Sequence, residues 1–309
     1  MDRSGCRTLV VLAAGMGERF GGCKQLTPVG PGGETIVEYL THEAWSAGLG
    51  RVVVVTRADL ADEVNERLAR RFRARCGDPS PSIDVVEQPA GPRGTVPAVL
   101  AARQVLAGED MFGVANADDL YPLDALRALR SWDGEGHAVV GFGLARTMLP
   151  GSTGVNRALC RTREPAMAGH GQLDLVALTE AAVIGPATPE GGPDDRWAVR
   201  DLAAAGAGES SVPGTQLVSM NLWALRSTIW PLFEEELNGD QPSAEVLLPV
   251  VIGQLVARGQ AQVQVLPVDG RCFGITWPEE LATLRAIVMQ MVAAGELPAL
   301  AAIQAVGPS

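Results

Sequence analysis

Residues 8–26 read TLVVLAAGMGERFGGCKQL, and what this stretch holds decides the fold. Its first five residues form an apolar, β-branched run that predicts a strand buried on both faces. A Gly-rich turn follows, and then two cations, Arg19 and Lys24. A dinucleotide fingerprint would need a third glycine where Phe20 stands, and a Walker loop would need Gly-Lys-Ser/Thr, whereas Cys23 separates Gly22 from Lys24. Neither motif fits. On physical grounds, glycines at 15 and 17 let ligand oxygens approach backbone N–H groups, which together make an anion nest. Arg19 adds a planar fork of donors and Lys24 a point charge. The same residues also suit a Gly-rich turn carrying two surface cations.

Outward from that loop, strand-like and helix-like stretches alternate. TIVEYLTHEAWSAGL (35–49) has helical apolar spacing, and RVVVVT (51–56) reads as a fully buried strand. Residues 58–76 predict an amphipathic helix whose arginines (67, 70, 71, 73 and 75) form a solvated face. SIDVVEQ (82–88) is a third strand, TVPAVLAARQVL (95–106) a helix, and MFGVANADDLY (111–121) a fourth strand ending in acids. This order predicts an α/β fold with a mixed, mostly parallel sheet flanked by helices. In such sheets ligands sit at the carboxyl ends of strands, where the first loop, Gln88 and Asp118–Asp119 all fall.

Beyond residue 139, AVVGFGLA, DLVALTEAAVI, QLVSMNLWAL and AQVQVLPV read as strands. AEVLLPVVIGQLVARG reads as a helix with Pro249 inside it, and 279–306 as a helical tail. Residues 185–214, rich in Gly, Pro and acids, read as a mobile insert.

Bulk properties narrow the function. A net charge of −11 over 309 residues argues against a chain that coats nucleic acid. Five cysteines without a Cys-x-x-Cys pair suit a reduced, cytoplasmic protein, and no apolar stretch approaches the ~20 residues of a membrane span. The three histidines (42, 137 and 170) lack metal-ligand spacing, and the tryptophans at 45, 223 and 230 read as core. Asp118 and Asp119 close an apolar strand, where carboxylates facing a phosphate nest suit Mg²⁺, although Ala-Asp-Asp also suits a solvated helix cap.

Together these segments resemble the sugar-1-phosphate nucleotidylyltransferases, or nucleotide-sugar pyrophosphorylases, of the bacterial NTP-transferase branch. LAAGMGERFGGCKQLTPVG resembles the signature loop of that family, EQPAGPRGTVPAV its base-recognition segment, and ANADDLY its metal-binding strand end. VSMNLWAL and FGITWPEEL resemble later core segments. The resemblance spans roughly residues 8 to 285 and implies a Rossmann-like, GT-A type fold with a smaller substrate-binding β region. It implies one catalytic domain over 1–285, its nucleotide part about 7–138 and its sugar part about 139–285, followed by a helical extension at 286–309.

Residue by residue, the resemblance implies that Leu12, Ala13, Ala14, Gly15, Met16, Gly17 and Arg19 meet the triphosphate. Lys24 would reach the reacting phosphate, Asp118 would bind Mg²⁺, and Gln88, Gly94 and Thr95 would meet the nucleoside. Glu180 and Asn221 match sugar-contacting positions, and Tyr121 a structural aromatic. The implied partners are a nucleoside triphosphate and a sugar-like 1-phosphate. The pattern breaks twice. Gly274 stands where relatives carry a second metal-binding Asp, so either another acid substitutes, with Asp269, Glu279 and Asp119 as candidates, or one ligand and the substrate phosphates suffice. Glu180 lacks the usual neighbouring Lys. The second departure suggests an unusual acceptor, such as a long-chain sugar or a cyclitol phosphate. A binding module without turnover, and a transferase acting on a non-sugar phosphate, are the other readings.

Overall fold

The computed structural model describes residues 5–15, 20, 24–72, 80–152, 155–165, 171–188, 192, 194–202, 208–238 and 245–300. Strands β1 (Thr8–Leu12), β2 (Arg51–Thr56), β3 (Ser82–Glu87) and β4 (Met111–Asn116) alternate with helices α1 (Ile36–Ser46), α2 (Ala58–Arg71) and α3 (Thr95–Ala101). A two-residue strand β5 (Asp119–Leu120), helix α4 (Leu123–Ser131) and strand β6 (His137–Gly143) follow. The second half contains β7 (Val155–Arg163), β8 (Leu173–Pro186), β9 (Arg196–Asp201), β10 (Ser210–Pro213) and β11 (Leu217–Arg226). The order then runs α5 (Trp230–Leu237), α6 (Leu248–Ala257), β12 (Val263–Val268), β13 (Phe273–Gly274) and α7 (Leu281–Ala293).

One sheet runs β10-β9-β8-β12-β6-β11-β4-β1-β2-β3, with β7 pairing β11 and β8. Its β4-β1-β2-β3 end is parallel, as expected from the strand–helix alternation. Beyond β4 the pairings are antiparallel except for β6 with β12, so the sheet is mixed. The unbroken apolar runs of β1 and β2 have a direct cause. Leu9, Val11, Val52 and Val54 enter the core under α1, α2 and α4, while Val10, Leu12, Val53 and Val55 enter the core under α3, α5 and α6. A strand covered on both faces has no polar side to display.

Helix α1 starts with a capping box, in which Glu38 accepts from the Thr35 N–H and Thr35 accepts from the Glu38 N–H. Glu38 is buried, and it also accepts from Arg67 and from Arg71 Nε at 2.8 Å. The arginines of α2 are therefore not one solvated face: Arg67 and Arg71 turn inward to satisfy a buried carboxylate, and Arg70 is exposed. Arg73 and Arg75 lie outside the described residues. Residues 185–214, expected as an insert, contribute β9 and β10, where Trp197 and Val199 are buried. Alternation in Trp-x-Val outweighs the Gly- and Pro-rich surroundings. Pro249 occupies the first turn of α6 rather than its interior, a position that lacks no intrahelical donor.

His137 opens β6, where its Nδ1 accepts the Arg226 N–H at 3.1 Å. Burial, and then the positive charge of Arg226, push the imidazole down to about 4. The unfolded chain thus takes up a proton before the folded one does. The contribution of His137 to stability is expected to be level above pH ~6.5 and to fall by about 1.4 kcal/mol per unit between there and pH ~4. Urea unfolding of the parent and His137→Gln at pH 7 and pH 5 isolates it. Between those pH values the variant is expected to gain about 2 kcal/mol relative to the parent.

Candidate active site

The carboxyl ends of β1 and β4 meet directly. The Ala117 N–H donates to Leu12 O at 3.1 Å, and the Ala13 N–H to Val55 O at 2.7 Å. The loop after β1 returns as a short turn at Lys24–Leu26, where the buried Gln25 donates to Gly15 O at 2.9 Å. Lys24 forms an ion pair with Asp118, in the turn between β4 and β5. Two groups separated by ninety-odd residues, each expected at the reacting phosphate, are thereby in contact. Gly15, Ala13, Ala14 and Leu12 lie beside them on the described part of the loop, whereas Met16, Gly17, Arg19 and Cys23 lie outside the described residues.

Beside Asp118 opens a polar cavity of about 250 Å³. Thr95, Asp118, Glu180 and Asn221, expected from four distant segments, all line it. Gln88 does not. It sits at the carboxyl end of β3, with its N–H donating to Thr56 O at 2.7 Å. Gly94 has φ +116°, and a Cβ there would fall on the backbone of Val246. The close approach it permits is therefore to the chain itself. Val246 N–H donates to Arg93 O at 2.8 Å, Val96 N–H to Val246 O at 3.0 Å, and Leu248 N–H to Thr95 Oγ1 at 2.6 Å.

The acids are unequal. Asp119 is buried, accepts from Asn116 Nδ2 at 2.8 Å, and has the Tyr121 hydroxyl 3.3 Å from its Oδ2. Burial first, and the Asp118 carboxylate next, push its carboxyl up to about 7. Tyr121 donates to Met220 O at 2.6 Å, so it ties β5 to β11 and is a structural residue, as expected. Of the three acids considered for the gap at Gly274, Asp119 is the one that lies against it. Gly274 is the partner of Asp119 across β13 and β5, and a Cβ on Gly274 would run into Asp119 Oδ1. Asp269 and Glu279 are exposed and away from the cavity lining. Among the described residues no three His, Cys, Asp or Glu side chains form a metal cluster.

Asn221 is the one non-glycine residue with positive φ (+57°) among the described residues, at a register shift where β11 bulges against β6. Its N–H donates to Ser219 Oγ at 3.1 Å and its Oδ1 accepts from Trp223 Nε1 at 3.2 Å. Asn is among the few side chains that tolerate this backbone. Asn221→Gly is expected to unfold within about 1 kcal/mol of the parent, whereas Asn221→Val is expected to lose about 1–3 kcal/mol. Chemical denaturation of both variants checks the pair.

Arg157, Asn156, Ser219 and Glu245 also line the cavity and were not among the expected site residues. Burial along β7 falls at Val155, Ala158 and Cys160, without clean alternation, so the strand that carries Arg157 leaves little periodic signal. Glu245 follows Asn221 in no motif, and it reaches the cavity through the pairing of Val246 with Arg93. No helix among the described residues is long and apolar enough to cross a membrane.

The sequence matches the MobA-like NTP transferase domain over residues 9–177, more than half of the chain. The fold is similar to that of a UDP-glucose pyrophosphorylase complexed with UDP-glucose, with TM-score 0.62 and 14% identity over 91% of this chain and 98% of that one. It is equally similar to the inositol-1-phosphate CTP transferase from T. maritima, with TM-score 0.62 and 15% identity over 92% and 97%. A UTP-bound UGPase from Acinetobacter baumannii gives TM-score 0.59 and 17% identity over 96% of each chain. At these identities the likeness is one of fold. No curated protein sequence matches. The first-strand loop, the acidic end of β4 and the domain match lead to one conclusion: the chain belongs to the MobA-like NTP transferase domain family and is a nucleotidyltransferase.

Proposed function

We propose that this chain joins a nucleoside triphosphate to a sugar or cyclitol 1-phosphate, releasing pyrophosphate. One observation carries the reading: Asp118, paired with Lys24, lines a polar cavity that also presents Glu180 and Asn221. A phosphate oxygen of the acceptor attacks the α-phosphorus, a new P–O bond forms, and the bond to the β-bridging oxygen breaks as pyrophosphate leaves. The attacking oxygen is already anionic, so no side-chain nucleophile is required. The work of the protein is to hold two polyanions in line, a positional effect worth several kcal/mol.

Lys24 offsets charge on the phosphates, and the backbone at Leu12–Gly15 borders them. Glu180 and Asn221 accept or donate to acceptor hydroxyls. Burial, its largest influence, raises the Glu180 carboxyl, and the positive charge of Arg157 opposes that shift. The donor set also fits Mg²⁺. Asp118 and Asp119 offer adjacent carboxylates, and burial, followed by the Asp118 charge, raises Asp119, a shift that a bound cation would oppose. A hard cation with few protein ligands prefers such oxygens together with substrate phosphates. Asp118 and Asp119 would hold it, and when bound it would neutralise charge on the transferring phosphate. Likeness of fold to proteins titled UDP-glucose pyrophosphorylase and inositol-1-phosphate CTP transferase supports UTP and CTP, with hexose or inositol 1-phosphates, as the first substrates to try.

Pyrophosphate release across a matrix of triphosphates and 1-phosphates, with and without Mg²⁺, tests the reading. Strong, metal-dependent release with one pair is the expected result. Measurable triphosphate binding with no release from any pair would overturn it.

A further inference from the structure

The cavity contains a cation that the sugar-segment motif did not supply. Arg157 projects from β7, one residue before Ala158, which pairs with Glu180 on β8. Arg157 lines the same cavity as Asp118, Glu180 and Asn221, and it is partly buried. Nε donates to Thr147 Oγ1 at 3.1 Å, Nη2 to Thr147 O at 2.8 Å, and Nη1 to Asn156 O at 2.8 Å. All three acceptors are neutral. Of the five guanidinium N–H donors, two are left without a partner in these bonds.

Among the described residues Arg157 makes no ion pair. By contrast Arg51, Arg67 and Arg71, which are also partly or fully buried, each pair with a carboxylate. No described carboxylate lies within ion-pair distance, although the charges of Asp119, Glu280 and Asp118 act on the guanidinium, and the three neutral bonds fix its direction without neutralising it. A fork with spare donors, held rigid at the wall of a polar cavity, is suited to a phosphate oxygen pair. Lys24 does not fill this role from the far side, since it is engaged with Asp118.

We infer that Arg157 anchors the phosphate of the acceptor, as a binding residue in the place where no lysine follows Glu180. This rests on the transferase reading above. The anchor requires an acceptor that carries a phosphomonoester next to hydroxyls, with the phosphate toward β7 and the hydroxyls toward Glu180 and Asn221. The cation is then present on a neighbouring strand, and common hexose or inositol 1-phosphates are within the range of the site.

The test compares affinities rather than rates alone. Wild type and Arg157→Met are titrated calorimetrically with glucose 1-phosphate, inositol 1-phosphate, glucose and inositol, each with an α,β-methylene analogue of UTP or CTP present to fill the nucleotide site. Wild type is expected to prefer at least one phosphate over its free polyol, and Arg157→Met to lose about 10- to 100-fold of that preference while triphosphate-analogue affinity stays unchanged. Arg157→Lys is expected to recover part of the loss. A merely structural arginine would lower Tm and weaken all ligands alike, leaving the phosphate preference intact, and that result overturns the inference. So does a wild type that binds neither phosphate. If Arg157→Met does not fold, Arg157→Gln, which keeps a donor for Thr147 without the charge, carries the same expectation. Failure of the transferase reading shows separately, as absence of pyrophosphate release from a protein that still loses phosphate preference at Arg157.

Discussion

Asp118→Ala is expected to lower turnover by about 10²–10³ while leaving the fold in place, because the carboxylate acts on charge in the transition state. Its side chain contributes little to stability. The Lys24–Asp118 pair is about one-fifth exposed on each side, and such pairs at a surface are worth roughly 0–1 kcal/mol. The part of Asp118 that supports the fold is its backbone carbonyl, which accepts the Ile275 N–H at 3.2 Å and survives the substitution. Single-turnover pyrophosphate release and a thermal melt on the same preparation separate the two effects. A variant that turns over within tenfold of the parent would remove Asp118 from the chemistry.

The second large effect is expected at Gly274. Gly274→Asp places a Cβ against Asp119 Oδ1 and adds a third carboxylate beside Asp118 and Asp119. Asp119 is in no position to swing away, since Asn116 holds it and the Tyr121 hydroxyl lies alongside. An uncompensated buried charge costs about 3–5 kcal/mol, and for a chain of this size Tm is expected to fall by roughly 5–8 °C. Combining Gly274→Asp with Asp119→Gly moves one carboxylate across the β5–β13 pair instead of adding one. The double variant is expected to melt well above the sum of its two single losses. Melts of the four proteins decide the matter, and a double variant no better than additive would show that the two positions do not share one carboxylate site.

How much of this was legible depended on whether a residue's role was local. The runs TLVVL and RVVVV needed only burial on both faces to become strands, so β1 and β2 were readable from five or six residues each. Lys24 and Asp118, which the structure pairs, each fall in the loop that follows a buried strand, in a segment with its own chemistry. Arg67 and Arg71 were misread since nothing local marks Glu38, on another helix, as the acid they satisfy. Asn221 was placed by its motif, but its left-handed backbone comes from a bulge between β11 and β6 that only pairing creates. Arg157 had neither a motif nor a clean alternation to mark it.

The clamp between residues 93–96 and 246–248 ties the strand-three side of the molecule to the wall of the polar cavity. Three hydrogen bonds and the missing Cβ of Gly94 bring these segments together, and Glu245, Leu247 and Pro249 border the cavity immediately around them. A substitution at 245–249 that shifts Val246 is expected to shift Gly94 and Thr95 with it, so reshaping this wall of the cavity calls for paired changes on both segments.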